Sequence, residues 1–185
     1  ALVMIHAKGH DPLHKVTIIP RGRALGLTMF LPERDKYSQS RTELEAMIAS
    51  LFGGRVAEEL IFGVENVTTG ASDDIRRATQ LARAMVTEYG FSDVLGPLRY
   101  SENQEEVFLG HSVTQTKNVS ESTQKIIDEE TRRLVEIGGT TARSIIEDHL
   151  GDLHVIANAL LEYETLSREE IDALLRGEDI SRGDD

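Results

Sequence analysis

Apolar residues along most of this chain recur at spacings of three and four, the rhythm of helices that bury one face. Over 41–62, Leu44, Met47, Ile48, Leu51, Phe52, Val56, Leu60 and Ile61 share a side. Gly53 and Gly54 interrupt that stretch; each costs about 1 kcal/mol against Ala in a helix, which points to a close approach by a neighbour. A helix over about 72–89 places Ile75, Ala78, Leu81, Ala82, Met85, Val86 and Tyr89 on one face. Ser120 is positioned to cap a helix of about 121–137 that buries Ile126, Ile127, Leu134 and Val135. The pattern resumes over about 141–163, with Gly151 as a possible bend. Ser167-Arg-Glu-Glu170 reads as a capping box opening a last helix that ends near Arg176-Gly177.

Only the N-terminal fifth departs from this rhythm. Val16–Ile19 and Gly26–Leu31 are short β-prone runs bounded by Pro20 and Pro32. The first residues, Ala1-Leu-Val-Met-Ile5, are apolar and carry no cap, so they read as the inside of a helix. The predicted fold is mainly α: a helical bundle over about 41–177 with a small β-hairpin at about 16–31, followed by a flexible polar tail at 178–185. Residues 90–118, with Gly90, Gly96-Pro97 and Ser101–Glu106, read as loop-rich.

Composition narrows the function classes. The formal charge of -12 argues against a nucleic-acid partner, because phosphate binding needs clustered Lys and Arg. Cysteine and Trp are absent, so disulfides and thiolate chemistry are excluded and the core is aliphatic. No run approaches the ~18 apolar residues of a membrane span.

Few residues are candidates for chemistry. His6, His10 and His14 are spaced by four, but Gly9 and Pro12 break the helix that would align them, and the spacing reads as accidental. His149 and His154 read as packing or surface residues, and His111 falls in a loop. No Gly-x-x-x-x-Gly-Lys-Ser/Thr loop and no Gly-x-Ser-x-Gly elbow occur. Asp73 and Asp74 open a helix after Thr68-Thr-Gly-Ala-Ser72. There a carboxylate either complements the helix dipole or, bordering the apolar face as Asp74 does, serves as a metal ligand. Glu58 is open to two readings as well: an interhelical pair with Arg55 or Arg76, or the buried partner of a metal-bound imidazole.

His10-Asp-Pro-Leu-His-Lys-Val-Thr-Ile-Ile-Pro-Arg-Gly22, Leu31-Pro32, Phe52-Gly-Gly-Arg-Val-Ala-Glu-Glu59, Thr68–Ile75, Gly96-Pro97 and Tyr163-Glu-Thr165 together resemble the peptidase domain of FtsH. This family comprises membrane-anchored, ATP-dependent zinc metalloproteases. The resemblance implies a Zn²⁺ site of two histidines from an H-E-x-x-H helix, whose Glu is the general base, and an Asp at the start of a later helix. Asp74 matches that Asp, and Glu58 matches a glutamate that supports the ligands. It also implies that Gly26, Leu27, Thr28, Met29, Phe30 and Leu31 form the strand on which an extended polypeptide substrate pairs. The implied assembly is a homo-hexamer working with its own ATPase module, which uses ATP. The implied place is the cytoplasmic face of the bacterial inner membrane, this segment being soluble. No H-E-x-x-H occurs in the 185 residues, and the motif is expected directly before Ala1. On that reading the chain by itself is inactive. A non-catalytic assembly module of the ring is the alternative.

Overall fold

The computed structural model describes residues 1–20, 26–31, 38–100 and 119–180. Their elements run α1 (Leu2–His6), β1 (Leu13–Thr17), β2 (Leu27–Phe30), α2 (Arg41–Phe62), α3 (Ser72–Thr87), α4 (Glu121–Asp148), α5 (Leu150–Tyr163), β3 (Thr165–Ser167) and α6 (Arg168–Leu175). The fold is mainly α with one small antiparallel sheet, as the pattern of apolar positions predicts. The His111 loop, Pro32 and the last five residues lie outside the described residues. No helix among those described is long and apolar enough to cross a membrane.

Helix boundaries follow the capping chemistry. Ser40 accepts from the Glu43 amide while Glu43 Oε2 takes the Ser40 amide at 2.6 Å, closing a capping box at the start of α2. Ser167 and Glu170 close the same box at α6, and Ser120 caps α4 through the Thr123 amide.

Some sequence expectations change. The helices expected over about 121–137 and 141–163 divide elsewhere: α4 runs unbroken through Gly138 and Gly139 to Asp148, and the break falls at His149, which ends α4 and begins α5. The reason is packing. A Cβ at Gly138 would lie 2.5 Å from Ile48 Cγ2 and 3.3 Å from the Ala49 amide, so Gly138 is where α4 meets α2 closely. At the Gly53-Gly54 pair only Gly53 has a neighbour, Val3 of α1 at 3.3 Å, and Gly54 faces open space.

The hairpin is also part of something larger. β1 pairs antiparallel with β2 on one side and with β3 on the other, in the order β2-β1-β3. The β1 strand begins at Leu13, earlier than the β-prone run, and its register with β2 slips between Leu13 and Lys15. Three residues are too few for β3 to show a period. Its placement comes from Glu164, which ends α5 in the left-handed conformation at φ 59. The Glu164 carbonyl accepts from the Ile18 amide at 2.9 Å and the Thr17 hydroxyl at 3.2 Å, and the Thr17 and Thr165 hydroxyls meet at 2.7 Å.

The core has three parts. Leu44, Ile48, Ala78, Ala82, Met85, Val86, Ile127 and Leu134 join α2, α3 and α4. Leu2, Leu13, Val16, Ile156, Ala159, Leu166 and Ile171 join the sheet to α1, α5 and α6, with Ile180 packed at their edge beyond the last helix. Val3, Ala7, Ala46, Ala49, Val56, Ala142 and Ile146 lie between α1, α2 and α4. The short α1 therefore sends Leu2 into one core and Val3 into another. Ile75 and Tyr89, expected on the buried face of α3, are exposed.

Candidate functional site

The end of the loop between α2 and α3 is tied back to α2 by a carboxylate. Glu58, half-buried on α2, accepts from the Thr68 amide at 3.0 Å and from the Thr68 hydroxyl at 3.1 Å. The Thr68 hydroxyl in turn accepts from the Gly70 amide at 3.2 Å, capping a short 3₁₀ turn over Thr69–Ala71. That turn runs directly into α3, where Asp73 and Asp74 occupy the first turn. Glu58 thus fixes the approach of the chain to Asp74. The ion pair considered for it goes elsewhere: Arg55 binds Glu59 at 2.8 Å, Arg143 binds the same Glu59, and Arg76 pairs with Asp73 at 2.9 Å.

Asp73 and Asp74 differ in surroundings. Asp73 is exposed and paired, whereas Asp74 is half-buried and, among the described residues, makes no hydrogen bond or ion pair through its side chain. Burial pushes the Asp74 carboxyl above its ordinary range; Arg77 pulls against that rise and the Asp73 charge adds to it. Burial without a protein donor makes the Asp74 charge costlier, and only water on its open side or a cation would offset that cost. Glu59 shows the opposite balance, its carboxyl held below the usual range chiefly by the Arg55 hydrogen bond.

β2 forms the outer edge of the sheet, so one of its two backbone edges has no strand partner among the described residues. Leu27, Phe30 and Leu31 are exposed along it, and Ile18 and Ile19 extend the apolar rim from the adjoining strand. An apolar edge strand of this kind is a template for pairing with another extended chain. The sheet and Asp74 stand on different packing units: α3 lies against α2 and α4, while β2 lies against β1.

The histidines behave in a way the sequence does not show. His6, His10 and His14 do not converge. His10 and Phe30 meet edge to face, His10 Nε2 is buried without a hydrogen-bond partner among the described residues, and His14 is exposed on β1. His6 instead stacks on His149, with ring centroids 3.7 Å apart, and His149 Nδ1 lies 2.9 Å from Asp152 Oδ2. The His149-x-x-Asp152 spacing is a visible local signal; the arrival of His6 from the other end of the chain is not. His154, four residues beyond Leu150, is exposed, as expected for a surface histidine. Among the described residues, His6, His149 and Asp152 make the one cluster of three potential metal ligands, and Asp74 is outside it.

Comparison with known proteins gives these features a context. Residues 1–174 match the model of peptidase family M41. The chain is 56% identical over 177 residues, 96% of its length, to the ATP-dependent zinc metalloprotease FtsH of Caulobacter vibrioides. It is 53% identical over 173 residues, 94% of its length, to the protein of the same name from Buchnera aphidicola of Schizaphis graminum. It is 52% identical over 178 residues, 96% of its length, to that of Magnetococcus marinus. The chain spans 28%, 28% and 26% of those three relatives.

Proposed function

The chain belongs to peptidase family M41, and from that premise we propose that it supplies part of a zinc metalloendopeptidase centre, with Asp74 as a protein ligand and Glu58 as the residue that positions the loop before it. The observation that carries this reading is the condition of Asp74: half-buried, without a hydrogen-bond or ion-pair partner among the described residues, and burdened by desolvation. A carboxylate so placed fits a divalent cation, which would satisfy the charge that burial disfavours.

Zinc in such a centre polarises a carbonyl and lowers the pKa of a bound water to about 7. The chain's own residues have narrower tasks. Asp74 presents one carboxylate from a rigid helix start, and the Glu58–Thr68–Gly70 hydrogen bonds keep the preceding turn from drifting. The free edge of β2, from Gly26 through Leu27, Thr28, Met29 and Phe30 to Leu31, offers backbone pairing to an extended polypeptide, a mode that reads little side-chain identity. The two zinc histidines and the general-base Glu would come from an H-E-x-x-H helix, a motif these 185 residues do not contain. The same reading assigns the chain to a homo-hexameric, membrane-anchored protease, fed by an ATP-driven module and facing the bacterial cytoplasm.

The test is zinc content and casein hydrolysis in the protein where this segment follows an H-E-x-x-H helix. Asp74→Ala is expected to abolish hydrolysis and to lower zinc content by the ion of this centre while its circular dichroism stays unchanged; zinc content and hydrolysis both retained in full overturn the assignment. In the same protein Phe30→Lys is expected to raise KM for casein and leave zinc content alone.

A second reading, a helical assembly module without catalysis, is favoured by Tyr89, Val94 and Leu98, apolar side chains left exposed beyond α3. Light scattering decides it: self-association lost on Val94→Asp and Leu98→Asp supports the module, and a strictly monomeric chain removes it.

A further inference from the structure

His6 ends α1, His149 stands at the junction of α4 and α5, and Asp152 lies in the first turn of α5. One ligand atom from each falls within 4.8 Å of the others. We propose that these three side chains form a binding site for a divalent transition-metal ion of the zinc class.

The donor set is the first argument. Two imidazoles and one carboxylate suit zinc and its first-row neighbours, and three protein ligands leave a further coordination position for water. The second is proximity. The Asp152 carboxylate already lies beside the His149 ring, its Oδ2 2.9 Å from Nδ1, so these two ligand groups stand together before an ion arrives. The third is rigidity. His149 is fixed by the backbone of two helices, its amide donating to the Ile145 and Ile146 carbonyls at 3.1 and 3.3 Å.

The stack itself defines what must move. With an interplanar angle of 14°, the lone pairs of the two rings lie in nearly parallel planes and do not meet at one point. Zinc–nitrogen bonds of about 2.0–2.1 Å require the ligand atoms to draw together and the rings to splay. His149 is held by Asp152, so His6 is the ring that turns. His6 is exposed at the end of its helix, and rotation about its terminal torsion is broad and soft. Arg168, whose charge reaches His6, is drawn toward Asp172 at 2.8 Å on α6.

The bland account of the cluster is a surface stack with a helix-cap contact, and the two accounts differ in a titration. Isothermal titration of the whole 185-residue chain with zinc chloride is expected to give one ion per chain, with the His6 and His149 ring resonances shifting together by NMR. His6→Ala, an exposed substitution, should remove saturable binding without loss of fold, and His149→Gln should do the same. Asp152→Asn, which removes the carboxylate ligand, should weaken binding by more than the about 10–100-fold typical of a group that only orients a ligand. Asp74→Ala should leave this ion in place, so failure of the peptidase reading and failure of this one are separable. Binding that survives the His6→Ala/His149→Gln double variant, binding that disappears with Asp74→Ala, or no saturation below millimolar zinc each overturns the proposal.

Discussion

The carboxylate of Glu58 receives both the amide and the hydroxyl of Thr68, ten residues on, and this one pair of side chains closes the loop that delivers the chain into α3. The hydroxyl passes the restraint on to Gly70. Glu58→Ala therefore frees two donors at once, the amide and the hydroxyl of Thr68, and loosens the hydroxyl that Gly70 relies on. Hydrogen bonds to charged groups contribute more than neutral ones, but these are half-exposed, so the expected loss is about 1–2 kcal/mol. For a chain of this size that lowers Tm by about 2–4 °C per kcal/mol. Hydrogen exchange should quicken at the Thr68 and Gly70 amides and stay unchanged in the middle of α4. Equal protection at both amides in the variant would show that the loop is held by something else.

Asp74 makes a prediction whose sign is set by its environment. Burial raises its carboxyl pKa in the folded chain, so folding favours the protonated form. With metal removed by chelator, the desolvation cost is present in full above the folded pKa and disappears as pH falls toward the unfolded value of about 3.9. Asp74→Asn should accordingly be more stable than the parent at neutral pH, and the two should converge in acid. Thermal melts from neutral to acid pH read this directly. A variant less stable than the parent at neutral pH would mean that Asp74 has a structural partner.

Two adjacent glycines in α4 should respond in opposite directions. A methyl at Gly138 would meet Ile48 Cγ2 at 2.5 Å with the Ala49 backbone behind it, a contact that relaxes only if α2 and α4 part. Overpacking of that kind costs about 1–3 kcal/mol and outweighs the gain of about 1 kcal/mol in helix propensity. A methyl at Gly139 meets nothing within 4 Å, so only the propensity gain remains. Gly138→Ala should lower the urea midpoint and Gly139→Ala should raise it.

Those same glycines mark how far the sequence could be read. Helix starts were legible because capping is local: Ser40 with Glu43 and Ser167 with Glu170 state their boxes within four residues. Helix α4 was not, because Gly138-Gly139 looks like an interruption until Ile48 is known to lie against it. β3 was hidden for a similar reason, since its three residues acquire their strand geometry from β1 and not from their own period. In the candidate site, Asp74 was legible as a carboxylate at a helix start, and its half-buried position agrees with its place beside the apolar face. The partner of Glu58 was not: Arg55 and Arg76 were the obvious cations, yet the structure gives them to Glu59 and Asp73 and leaves Glu58 to Thr68. The His6–His149 stack joins residues from opposite ends of the chain, and no spacing rule reaches that far.

Glu130 shows the ordinary counterpart of Asp74, a buried carboxylate that is satisfied. It lies buried on α4, takes the Ser92 hydroxyl at 2.7 Å and holds Arg133 at 2.7 and 3.0 Å. Ser92 accepts from the Leu95 amide, so the contact anchors the segment after α3, with Phe91, Leu95 and Tyr100, against the first core. The Arg133 hydrogen bond, with Ser92 adding to it, holds the Glu130 carboxyl below its ordinary range although burial works the other way. The sign is therefore opposite to that of Asp74: the stabilisation is present above the unfolded pKa of about 4.3 and is lost as pH falls through the lower folded value. Glu130→Gln keeps the shape and one acceptor but removes the charge, and it should cost about 2 kcal/mol at neutral pH. The difference from the parent should begin to narrow below about pH 4.3, where the unfolded parent takes up its proton, and should be gone below the lower folded value. Urea unfolding at neutral and at acid pH measures both numbers, and a gap that stayed constant across that range would show that the charge on Glu130 contributes nothing.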